Sequence, residues 1–88
     1  MTCFFCPSTN TERHHCLHGT ANRRKCDEDG LFVPLCHLHH RGTFGVHGRD
    51  GHEKDEELKR WAQRKYEKEI GTRDDFLSRY GRNYLWED

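Results

Sequence analysis

Residues 31–42 read Leu-Phe-Val-Pro-Leu-Cys-His-Leu-His-His-Arg-Gly, and the fold turns on how this run divides. Leu31 to Leu35 is short, apolar and β-prone, and Pro34, with no N–H to give a ladder, restricts it to an edge or an end. From Leu35 to about Arg41 a short helix is predicted, closed by Gly42. If the helix begins at Cys36, then His39 and His40 stand at i+3 and i+4, and either can turn toward an ion held by that thiolate. Upstream, Cys3-Phe4-Phe5-Cys6 sets two more thiols on a tight knuckle with the same spacing as Cys36 and His39. Two such pairs fit tetrahedral Zn²⁺, because each short turn grips the ion twice and the ion closes the loop between them. The expected structural zinc ligands are therefore Cys3, Cys6, Cys36 and His39, with buried or redox-active thiols as the alternative for the first pair.

Composition explains why a staple is needed. In 88 residues only 32% are hydrophobic and 34% are charged, too thin a core for a domain of this size to rely on packing alone. Cysteine numbers five, an odd count, and the chain opens Met-Thr-Cys with no apolar leader, which favours metal binding over disulfides and a cytoplasmic setting. No stretch reaches the roughly 18 apolar residues of a membrane span. The 15 basic and 15 acidic side chains cancel, which weighs against a purely electrostatic nucleic-acid binder more than against a metal enzyme.

Outward from the opening run, Thr11–His18 reads as a strand leading into Gly19, and Thr20–Gly30 as a polar loop. Histidines His14 and His15 are neighbours on that strand and point to opposite sides, a placement a core rarely wants. Strand, loop, strand and short helix, with histidines on the first strand and on the helix, make a ββα unit around one ion. Glycines crowd residues 42–51, which separates a metal-bearing unit at 1–50 from a C-terminal helical extension at 51–88. There, Leu58, Trp61, Ala62, Tyr66 and Ile70 recur at helical spacing over about 53–70. Thr72 with Asp74 and Asp75 caps a second helix carrying Phe76, Leu77 and Tyr80. These aromatics, and the tail Tyr84-Leu85-Trp86, are expected to be packing groups. Cys16 reads as a buried strand thiol and Cys26 as a loop thiol, while His18 and His52 carry no assigned role.

Taken together, Cys3-x-x-Cys6, His14-His15 and Leu35-Cys36-x-x-His39-His40 resemble the zinc-bearing branch of the HNH nucleases, more narrowly the small phage and prophage HNH proteins. Ala21-Asn22-Arg23, Gly30-Leu31, Gly45-Val46-His47 and Tyr84-Leu85 are similar to their pattern too. The resemblance implies a small α+β protein, a ββα-metal unit stapled by zinc and followed by two helices. It implies that His14 and His40 bind a catalytic divalent ion (Mg²⁺, Mn²⁺, Ni²⁺ or Zn²⁺), and that His15 is the general base activating water. In two places the chain departs from the family. The middle asparagine usually lies just before the Cys36 position, where this chain has Gly30-Leu31, so Asn22 is the available substitute to brace the loop and orient His15. The family's last histidine falls four residues after His40, at Phe44, so His47 or solvent has to complete the metal. Arg23, Arg24, Lys25 and Arg41 are candidate phosphate contacts. The implied activity is a phage-type DNA endonuclease in the bacterial cytoplasm. The alternatives are a non-catalytic zinc adaptor for nucleic acid or protein, and a component that works only with other phage or host DNA-processing proteins.

Overall fold

Two short strands bring the histidine-bearing and cysteine-bearing segments side by side. The computed structural model describes residues 2–43 and 45–85, in the order β1 (Thr11–His15), α1 (Thr20–Asp29), β2 (Phe32–Cys36), α2 (His37–Arg41), α3 (His52–Glu69) and α4 (Arg73–Tyr80). Among these residues it is a small α+β structure with one two-stranded antiparallel sheet and four helices. β1 and β2 pair with His14 opposite Val33 and His15 opposite Phe32. Strand alternation sends His14, Val33 and Leu35 inward, and all three are buried. Pro34 sits within β2 opposite Arg13, and its carbonyl accepts the amide of Phe4 at 2.8 Å, which docks the cysteine knuckle on that strand.

Strand β1 is shorter than the expected Thr11–His18. After His15 the chain makes one more bond to its neighbour, Cys16 N–H to the Leu31 carbonyl. It then tucks Leu17 inside and turns at Gly19, whose φ of 105° only glycine adopts readily.

The expected polar loop at 20–30 is instead helix α1, closed by Gly30 in the left-handed conformation. Its only buried residue is Cys26, so it has almost no apolar stripe to betray it. The helix is tethered by polar groups instead. Asp29 accepts from Tyr80 Oη and Arg79 Nε, both at 2.6 Å, and Lys25 donates to the Arg79 carbonyl at 2.7 Å. Cys26 is consequently a buried helix thiol rather than a loop thiol, while Cys16 is buried as expected.

In the second half the apolar face of α3 is Leu58, Ala62 and Tyr66, with Trp61 partly buried beside it. Ile70 departs from this face, because the helix ends there and leaves its side chain 46% exposed. Helix α4 starts with the expected cap. Thr72 Oγ1 accepts from the Asp75 amide, and the Asp75 carboxylate accepts from the Thr72 amide. Phe76 is fully buried against the rings of Tyr66, Tyr80 and Tyr84. Buried Gln63 accepts the Tyr84 amide at 2.6 Å and so holds the following chain, in which Leu85 is buried; Trp86 lies outside the described residues. Phe76→Ala should cost about 3–5 kcal/mol, read as a lowered urea midpoint, since the cavity opens where several rings meet. An unchanged midpoint would remove the aromatic cluster from the core.

Candidate metal centres

The knuckle at 3–6 is a turn closed by the Cys3 amide on the Ser8 carbonyl. Docked on β2, it brings Cys3 and Cys6 to Cys36, the last residue of that strand, and to His39 on α2. The ligand atoms of these four all lie within 4.8 Å of one another, so the group could hold a metal ion such as zinc. The donor set fits. Zn–S bonds of about 2.3 Å and a Zn–N bond of about 2.0 Å set tetrahedral edges of about 3.8 Å between sulfurs and about 3.5 Å from sulfur to nitrogen. Cys6 and Cys36 sulfurs are 3.7 Å apart, and His39 Nδ1 is 3.2 Å from Cys36 Sγ and 3.7 Å from Cys3 Sγ. His39, not His40, therefore joins the cysteines. Burial would raise the Cys3 thiol, but hydrogen bonds from the Cys36 and Phe5 amides and from neighbouring thiols outweigh it and bring it down to about 6. Cys6 is held up by burial and by the adjacent sulfurs, against the pull of the Ser8 amide.

A second group gathers His14 from β1, His40 from α2 and His47 from the glycine-rich loop, with ligand atoms again within 4.8 Å of one another. Their ring centroids are 4.8 to 5.2 Å apart. His14 is 3% exposed, and among the described residues its Nε2 has no hydrogen-bond partner. A buried polar atom so placed is costly unless something binds it. Burial first, then the neighbouring histidines His40, His47 and His18, push His14 down to about 3; His47 is lowered by burial and by His40 and His18. Both are thus neutral imidazoles, the form that binds metal. His40 Nδ1 lies 3.0 Å from a Glu12 carboxylate oxygen, which leaves Nε2 as its ligand atom. The three residues could hold a metal ion and fit one.

His47 reaches this group because the loop doubles back on α2: Val46 N–H donates to the His39 carbonyl and His47 N–H to that of His40. The doubling needs glycine at 48, where a Cβ would stand 1.9 Å from the Gly42 carbonyl oxygen. Gly48→Ala should therefore lower stability by about 1–3 kcal/mol and weaken divalent-ion uptake by the histidines, read by calorimetric titration. Wild-type uptake in that variant would show that His47 is not needed. Phe44 lies outside the described residues.

Beside this group lies a cavity of about 310 Å³, whose walls include the imidazoles of His14, His15, His18, His40 and His47. His15 Nε2 bonds Asp27 Oδ1 at 2.8 Å, leaving Nδ1 as the other nitrogen. Asn22 does not take that position. Its amide donates to the His18 carbonyl at 2.9 Å, so it braces the turn after β1, and Asp27 orients His15. Arg23 and Arg41 of the expected phosphate contacts line the cavity, joined by Arg13. Arg24 and Lys25 do not: Arg24 pairs with Glu28, and Lys25 is held by the Arg79 carbonyl. Asp27, Glu12, Arg13, His18 and Asp55 were invisible as site residues in the sequence. Asp27 and Glu12 act through pairings that need α1 and the strand register, and Asp55 lies on α3, far along the chain from His18. His52 stands exposed at the start of α3 and does not line the cavity. Among the described residues no helix is long and apolar enough to cross a membrane. Compared with protein-family models, curated proteins and solved structures, the chain matches none, so the chemistry of these two groups stands on their own geometry.

Proposed function

We propose that this chain is a metal-dependent endonuclease of the HNH type, phage-encoded, hydrolysing DNA phosphodiester bonds on a ββα-metal unit. Cys3, Cys6, Cys36 and His39 hold a structural Zn²⁺, and His14, His40 and His47 hold a catalytic divalent cation. The observation that carries this reading is the buried, unpartnered Nε2 of His14 beside an aspartate-braced His15. A divalent ion bound there supplies charge stabilisation for the phosphate and its leaving oxygen. With Asp27 on Nε2, His15 presents Nδ1 as the base. It removes a proton from water, the water oxygen attacks phosphorus, the P–O bond to the leaving oxygen breaks, and solvent protonates that oxygen. Asp27 balances the imidazolium that forms. Among the described residues Arg23 has no ion pair to give up for a flanking phosphate, whereas Arg13 and Arg41 must exchange Asp27 and Glu12 for it.

Plasmid nicking by the purified protein in Mg²⁺, Mn²⁺, Ni²⁺ or EDTA, beside His15→Ala, tests this. The expected result is cation-dependent nicking that falls about 10²- to 10⁴-fold in the variant, at unchanged zinc content. Inertness of the wild type in every ion at low salt would sink it. Zero net charge favours a second reading, a non-catalytic adaptor in a phage or host DNA-processing complex, which predicts that inert, metal-replete outcome.

A further inference from the structure

The cavity has a second imidazole–carboxylate pair on its wall. His18, just beyond β1, places Nε2 2.9 Å from Asp55 Oδ1, and the other Asp55 oxygen meets Lys59 Nζ at 3.0 Å. Asp55 lies in the first turn of α3, where the helix N-terminus favours a negative charge, and its side chain is only 12% exposed. His18 is the opposite, with 45% of its side chain open to solvent. Its ring centroid stands 5.9 Å from that of His14 and 5.8 Å from that of His47. Yet His18 falls outside the three histidines whose ligand atoms cluster within 4.8 Å.

We propose that His18 contacts the phosphodiester held at the trihistidine group, and that Asp55, from the C-terminal helix α3, positions it. The inference rests on the nuclease reading and extends it, because the site then has two aimed imidazoles: His15 fixed by Asp27 and His18 fixed by Asp55. Among the described residues no hydrogen bond takes His18 Nδ1, so that nitrogen remains for substrate. A carboxylate on one ring nitrogen fixes the orientation of the other, as it does for histidines at metal sites. The second half of the chain thus contributes to the site as well as to the core. A purely architectural pair would tie α3 to the turn after β1 and do nothing else.

His18→Ala and Asp55→Asn, in the full zinc-loaded chain, separate the two. Contact with the phosphodiester predicts that His18→Ala lowers kcat/KM for plasmid nicking about 100-fold and weakens binding of a short fluorescein-labelled duplex roughly tenfold. It predicts that Asp55→Asn lowers kcat/KM about tenfold. Co²⁺ uptake by the histidines, followed by visible absorption, should stay unchanged in both, and added imidazole should restore cutting to His18→Ala. Wild-type kinetics and duplex binding in His18→Ala, with only the melting temperature lowered, would overturn the proposal. Loss of Co²⁺ uptake in His18→Ala would overturn it too, by making His18 a ligand. A wild type that fails to nick sinks the nuclease reading itself; a wild type that nicks with His18→Ala unimpaired sinks only the role of His18.

Discussion

Stripping the cysteine-rich group with a strong chelator, or replacing Cys36 with serine, is expected to abolish cooperative folding. Structural Zn²⁺ in small domains contributes an apparent 10–16 kcal/mol at pH 7, while a whole domain is stable by only about 5–15 kcal/mol. Here the four ligands tie the knuckle, the end of β2 and α2 together, beside the packing of Phe4 on Trp61 and of Phe5 on His39. The knuckle at 3–6 meets β2 through one backbone bond, Phe4 to Pro34, and α2 is too short to be stable alone. Without the ion the thiols are left as neighbours that repel once ionised. Circular dichroism melts with parallel metal analysis would show a broad, non-cooperative transition in the stripped protein, and one added equivalent of Zn²⁺ should restore the sharp one. An identical cooperative melt in metal-free protein would mean that packing alone holds the first half.

The second large effect has two opposite signs. His14→Leu is expected to make the zinc-loaded, otherwise cation-free protein more stable by about 1–3 kcal/mol, the cost of leaving a buried polar atom unsatisfied. The position is inward on β1 opposite Val33, so a branched apolar side chain suits it. No charge is lost at neutral pH, since His14 is held down to about 3 by burial and its neighbours. The same variant should lose divalent-ion uptake at the three histidines and at least about 10³-fold in nicking, roughly 4 kcal/mol of barrier. Urea denaturation and calorimetric titration read the two effects separately. A variant that is less stable yet still takes up the ion would show that Nε2 of His14 is a structural atom. Gain of stability together with loss of ion uptake would be the pattern of a site held in a costly state for function.

Local spacing makes the cysteine group legible, whereas His14, His40 and His47 come together in the sequence only through the family resemblance. Cys3-x-x-Cys6 and Cys36-x-x-His39 are short bites whose geometry follows from a turn, and alternation on β1 separates His14 from His15 without any tertiary information. The choice between His39 and His40 was not legible. It depends on which side of α2 the knuckle docks, and that is set by the Phe4–Pro34 bond. Helix α1 escaped for a related reason: Arg, Lys, Glu and Ala favour a helix, but its ties are to Arg13, Arg79 and Tyr80, residues from other parts of the chain. Asp27 was lost with it, and so the true partner of His15. The family pattern points to Asn22, whereas the structure gives its amide to a backbone carbonyl. Ile70 continued a helical stripe in sequence that the helix itself does not continue.

Adjacent His39 and His40 go to two different groups from a single turn of helix. Neighbouring residues on an α-helix point about 100° apart, which is what allows one five-residue element to serve both. The spacing from Cys36 to His40 therefore tolerates no change in length. One residue inserted or removed there would rotate both imidazoles and take a ligand from each group in one step. The exposed turn at Gly81, where an added Cβ would meet nothing within 4 Å, is free of that constraint. Variation in chain length among proteins built this way should gather at such turns and avoid residues 36–40.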